Sequence, residues 1–163
     1  MTQNLINDIC LRPMDKVHLD VLFEFHRDPK ANHMAAFTVE NPADHRAFIQ
    51  KMSSILANPD IDKQVIYFQN QIVGSLMAFS ADTKTCVCYW LDRHFWHKGI
   101  ATQSLKAFLQ QYTKRPLFAQ VAADNQGSIR VLQKSGFVEV QKSKGFANSR
   151  QSVIEELLFQ LNE

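Results

Sequence analysis

Glycine is scarce in this chain: five in 163 residues, alongside five prolines and three cysteines. That scarcity excludes two nucleotide-binding loops at once. A Walker loop needs Gly-x4-Gly-Lys-Ser/Thr and the dinucleotide fingerprint needs Gly-x-Gly-x-x-Gly, and neither occurs. Cys10, Cys86 and Cys88 are odd in number and stand at no zinc-ligand spacing, so no metal is expected. They read as reduced core thiols of a cytoplasmic protein, with Cys86 and Cys88 at strand period on one face. No apolar run approaches the roughly 20 residues that cross a bilayer. The opening Met1-Thr2-Gln3-Asn4 is not a basic region leading into an apolar one, so neither a signal peptide nor a membrane partner is expected. A net charge of +2 without a Lys/Arg cluster gives no basis for nucleic-acid binding. What is present is ordinary for a globular protein: 45% hydrophobic and 21% charged residues, at a length that predicts one domain over 1–163.

The elements follow from pattern. Ile9 to Pro13 reads as a short strand. Asp15 is placed to cap a helix with Leu19, Leu22, Phe23 and His26 on one face, stopped by Pro29. Lys30 to Glu40 has no clean period and reads as irregular or partly helical. Asn41-Pro42-Ala43-Asp44 looks like a helix start with Asn41 as cap, followed by the stripe His45, Phe48, Ile49, Met52, Ile55 and Leu56. Gln64–Phe68, Ile72–Phe79 and Thr85–Leu91 form an expected antiparallel meander with tight turns. A helix carries Leu105, Phe108, Leu109 and Tyr112, and Arg115-Pro116 breaks it. Leu117–Ala123 is apolar enough for a strand buried on both faces. Asp124 or Asn125 caps a short helix ended by Gly136. Phe137–Val140 and Val153–Leu161 complete the strands, joined through Lys144-Gly145-Phe146. The expectation is an α+β fold around a mostly antiparallel sheet.

The most informative stretch is Trp96-His97-Lys98-Gly99-Ile100-Ala101-Thr102, between a strand and a helix. A glycine turn feeding a helix start presents free backbone N–H groups at the positive end of the helix dipole, which together cradle phosphate.

Tyr89-Trp90-Leu91-Asp92 followed by Phe95 to Thr102 resembles the acyl-CoA signature of the GNAT N-acetyltransferases, Gln/Arg-x-x-Gly-x-Gly/Ala after the fourth strand. Trp96 takes the Gln/Arg place, Gly99 the first Gly and Ala101 the second, and Trp there is familiar in the branch resembling ribosomal-protein N-terminal acetyltransferases. A second motif, Asn125-x-x-Ser128-Ile129-Arg130-Val131-Leu132-x-Lys134-x-Gly136-Phe137, follows in the family's order and separation. The resemblance covers nearly the whole chain. It implies a sheet of about six or seven strands flanked by about four helices, with the fourth and fifth strands splayed. It implies acetyl-CoA as cosubstrate: amides from His97, Lys98, Gly99, Ile100, Ala101 and Thr102, with Trp96 in the same loop, on the pyrophosphate, Leu91 pairing with the pantetheine, and Asn125 and Ser128 beside the arm or thiol. A homodimer is plausible for the family.

The resemblance implies acetyl transfer to a primary amine by direct attack on the thioester. An alkyl ammonium with a pKa of about 10.4 is neutral in only about one molecule per thousand near pH 7.4, so a general base is needed. His33 and Glu40 lie where the family binds its acceptor; Tyr89, Glu155 and Glu156 are further candidates, and His94 and His97 flank the phosphate loop. Many members carry Tyr seven residues after the Asn as the acid, but this chain has Leu132. Three readings stay open: Ser128 donates the proton, water does, or the thiolate leaves unassisted. The acceptor is a protein N-terminus or a small amine, and no acidic cluster favours a polycation such as an aminoglycoside. The rival reading is a non-catalytic acyl-CoA-binding or regulatory module, which Leu132 keeps open.

Overall fold

The computed structural model describes residues 8–163, so Met1 to Asn4 lie outside it. Seven strands form one sheet in the order β1-β2-β3-β4-β5-β7-β6. The strands are β1 Ile9–Pro13, β2 Asp62–Phe68, β3 Gln71–Ala81, β4 Lys84–Leu91, β5 Leu117–Ala122, β6 Val138–Ala147 and β7 Ser152–Leu161. Every neighbouring pair is antiparallel except β4 and β5. Among the described residues, five α-helices accompany them: α1 Leu19–His26, α2 Pro29–Ala35, α3 His45–Ala57, α4 Ile100–Gln111 and α5 Gln126–Lys134. No helix among the described residues is long and apolar enough to cross a membrane.

Strand alternation divides the core. Leu76, Val87, Leu91, Leu117, Ala119, Val121, Leu157 and Phe159 pack with Ile100, Leu105 and Phe108 of α4 and Ile129 and Leu132 of α5. Met14, Val65 and Tyr67 pack on the opposite face with Leu19 and Leu22 of α1 and Met52 of α3. A third cluster, Ala36, Phe37, Ala122, Ala147 and Ile154, seats the end of α2 on that second face.

Several expectations are corrected. Asp15 caps a 3₁₀ turn, Lys16–His18, ahead of α1. Pro29 does not stop α1; it is the first residue of α2, whose cap is Asp28, because a proline fits where the N–H has no partner. The segment from Lys30 therefore opens as a helix and supplies one more than the four expected. Asp44, not Asn41, caps α3; the Asn41 side chain is used in the turn before it, accepting from the Ala43 amide. Lys144-Gly145-Phe146 is inside β6, and the β6–β7 turn falls at residues 148–151. On β5, Gln120 is exposed. The cysteines are not core thiols: Cys10 on β1 and Cys88 on β4 are exposed and Cys86 is half-buried, Cys88 lining the open cleft.

Candidate active site

β4 and β5 run parallel but pair at one register point only, Cys86 with Phe118. Beyond it they diverge, so the expected splay is present. The Asp92 amide donates to Val73 O at 2.7 Å. Antiparallel alternation then turns the backbone groups of Trp90 toward β3 and those of Tyr89 and Leu91 into the gap. Gly74 keeps this strand in place, since a Cβ there would overlap the Trp90 carbonyl oxygen.

The loop after β4 is a 3₁₀ turn, Arg93–Phe95, capped by the Asp92 carboxylate. His97 (φ 62°) and Gly99 (φ 78°) then adopt left-handed backbone, which swings the chain into α4. Among the described residues, no acceptor is found for the amides from His97 to Thr102. Six consecutive free donors at a helix start, on the exposed residues His97, Lys98 and Gly99, fit a pyrophosphate. Trp96 acts differently from its neighbours. Its amide donates to Arg93 O and its indole Nε1 donates to Leu91 O at 3.0 Å. Both donors are consumed in shaping the loop, and the Leu91 amide is left to face the gap.

Tyr89 and Trp90 point to opposite faces. The Tyr89 hydroxyl lies 2.6 Å from Ser128 Oγ. Burial pushes the phenol up to about 12, against the opposing bond from Ser128. Ser128 stands in the first turn of α5, whose cap Asn125 accepts from the Ser128 amide through Oδ1 and donates through Nδ2 to Met34 O, 3.2 Å in each case. Leu132, where an acid was sought, is buried in the core. Trp90 donates to Phe25 O and stacks on His26 with centroids 4.2 Å apart. Burial, aided by Lys51, lowers His26 to about 4, so it is neutral at physiological pH.

On the acceptor-side expectations, His33 is exposed at the end of α2, and Glu40 is exposed before α3 with no hydrogen bond joining it to this group. Glu155 is exposed. Glu156 is half-buried and accepts from Ser143 Oγ at 3.2 Å. Sequence reasoning missed Asp28, Arg93 and Arg150. Asp28-Pro29 carried a legible cap signal. Arg150 bonds Asp124 at a separation of 26 residues, for which no local pattern exists.

The same face of β3 and β4 carries an open cleft of about 1160 Å³. Met77, Phe79 and Cys88 line it together with Lys51 and Ile55 of α3 and residues 111–114.

The GNAT acetyltransferase domain profile matches residues 8–138. Among curated proteins none matches the sequence. Solved structures share the fold. A RimL ribosomal L7/L12 α-N-protein acetyltransferase bound to coenzyme A superposes with TM-score 0.81 at 19% identity, covering 95% of this chain and 94% of its own. The ribosomal-protein-alanine N-acetyltransferase of Brucella melitensis gives 0.81 at 18%, covering 94% and 99%. The microcin C7 self-immunity acetyltransferase MccE, bound to acetyl-CoA and AMP, gives 0.77 at 18%, covering 96% and 93%. A matched profile spanning most of the chain, a splayed β4–β5 pair and an open amide cradle have one common reading: the chain belongs to the GNAT family, as an acetyl-CoA-dependent N-acetyltransferase.

Proposed function

We propose that this protein acetylates the N-terminal amine of a peptide or protein, in the cytoplasm, with the donor held in the β4–β5 gap and the acceptor entering from the opposite face. The observation that carries the reading is the single β4–β5 register point with six free amides beyond it. The amides of His97 to Thr102 hold the pyrophosphate, and the backbone of Tyr89 with the Leu91 amide pairs with the pantetheine as a neighbouring strand would. Acetyl-CoA supplies the activated acyl group.

A protein N-terminus is favoured over a compact amine because solved structures of the same fold include ribosomal-protein N-acetyltransferases. Cys88 and Trp90 share the acceptor face of β4, but the open cleft lies at the Cys88 end, while Trp90 is covered by Phe25 and His26 of α1. Glu156 pairs with Ala122 on the β5 side of the splay and turns to the opposite face from Glu155. In this proposal Glu156 is the carboxylate that takes the ammonium proton through water.

On the donor side, either hydroxyl of the Tyr89–Ser128 pair can donate to the other; with Tyr89 donating, the Ser128 proton is free for the sulfur. A phenol near 12 does not surrender its proton to a thiolate whose own pKa is about 8.5, so the pair acts by hydrogen bonding to developing charge. A thiolate so stabilised leaves without the Tyr that Leu132 replaces. The homodimer remains part of this proposal as a family habit.

The test is thermal unfolding with and without acetyl-CoA, followed by thiol release with peptides bearing free N-termini. At about a hundredfold over the dissociation constant, binding to the native state adds roughly 2.7 kcal/mol. A raised midpoint with thiol release supports the proposal. A raised midpoint without release on any amine favours the non-catalytic module.

A further inference from the structure

Helix α2 forms part of the acceptor side, yet both of its ends are fastened to elements that hold the donor. At its start, Asp28 accepts from the amides of Lys30 and Ala31 and pairs with Arg93 Nε at 2.8 Å. Burial alone would raise Asp28, but Arg93 and those amides outweigh it and hold the carboxyl below its usual range. Arg93 opens the 3₁₀ turn that leads into the amide cradle.

At its end, α2 leaves carbonyls that the helix cannot satisfy. Arg150 Nε donates to His33 O at 2.6 Å, while its two terminal nitrogens reach Asp124 at 2.8 and 3.0 Å. The Arg150 side chain is only 11% exposed. Asn125 Nδ2 takes Met34 O. The chain then turns through Ala36, buried at φ 65° and ψ −60°, with the Phe37 amide bonded to Ala35 O at 2.7 Å. That is a γ-turn of the strained hand, which persists only where its surroundings fix it. Here Ser149 fixes it, its amide and hydroxyl both donating to Ala36 O.

We propose that Arg93 and Arg150 are positioning residues that latch α2 to the cradle and to the α5 start, so that a bound donor tightens the acceptor wall. The inference rests on the cofactor reading above. Asn125 gives it a continuous path, because one side chain touches both Met34 and the turn that carries Ser128. Two rigid contacts at opposite ends make α2 an element whose order both sites bias.

Amide hydrogen exchange tests it, measured on the full chain with and without acetyl-CoA and followed by mass spectrometry. Residues 97–102 report the cradle and residues 31–38 report α2. In the native sequence, acetyl-CoA should slow exchange in both segments, by about fivefold or more in 31–38. The double variant Arg93→Ala, Arg150→Ala should keep the slowing in 97–102 and lose it in 31–38. Arg150→Lys, which keeps the charge beside Asp124, should recover part of it on the Arg93 background. Slowing confined to 97–102 in the native sequence overturns the latch and leaves the cofactor reading standing. Equal slowing of 31–38 in native and double variant also overturns it. No slowing at 97–102 in the native sequence removes the cofactor reading, and the latch with it. The native-sequence comparison holds even if a variant fails to fold.

Discussion

Two hydroxyls 2.6 Å apart, on Tyr89 and Ser128, form a pair beside the splay in a chain whose position 132 is a core leucine. Their contribution is separable. Ser128→Ala should slow acetyl transfer by roughly a hundredfold, as expected for a lost proton-transfer or charge-stabilising group. Tyr89→Phe should slow it less, and the double variant should be no slower than Ser128→Ala alone, because Tyr89 acts through Ser128. Single-turnover rates at saturating acetyl-CoA measure this; additive losses would mean the two hydroxyls act separately. At Gly99, an Asp side chain would put a carboxylate among the cradle amides. Like-charge juxtaposition of a few kcal/mol should weaken coenzyme A binding by about a hundredfold while leaving the fold intact. Calorimetry reads the affinity and circular dichroism reads the fold.

Among the elements, β3 depends on one missing side chain. Gly74 lies against the Trp90 carbonyl, and the strands on both sides are fixed by their own pairing. Gly74→Ala must push β3 from β4, and overpacking of this kind destabilises by about 3 kcal/mol. Chemical denaturation should show that loss, together with weaker coenzyme A binding, since β4 forms the wall of the gap. The elements also show what a sequence can and cannot disclose. β1, the β2–β3–β4 meander, α4 and α5 were legible because apolar period and cap residues agree within each. The turn at Gly99 into α4 was legible too, since the glycine and the following helix pattern are adjacent. The α2 boundary was misplaced because a proline at a helix start and one at a helix end look alike without their hydrogen bonds. β6 was cut short because its residues are mostly exposed, which removes the alternation that marks a strand. Arg150 was invisible because its partners, His33 and Asp124, are distant in sequence.

For the whole molecule, part of the acid sensitivity between about pH 6.5 and 4 follows from one imidazole. His26 titrates near 4 in the folded protein against about 6.5 when unfolded. The unfolded chain therefore binds the extra proton first, so stability is complete above 6.5 and falls as the pH drops toward 4. The full shift is worth roughly 3 kcal/mol. Melting midpoints should decline through that window, and His26→Phe, which keeps the stack on Trp90, should flatten the decline. An unchanged slope in that variant would assign the acid sensitivity elsewhere.

The solitary Cys86–Phe118 register point has a mechanical consequence. It leaves the sheet with a seam: four strands on one side, three on the other, basted together at one end. When the protein opens, it should part along that line, the two halves swinging as a book does on its spine. A pantetheine bound there would work as stitching, adding a tie across a seam that core packing alone holds at its open end.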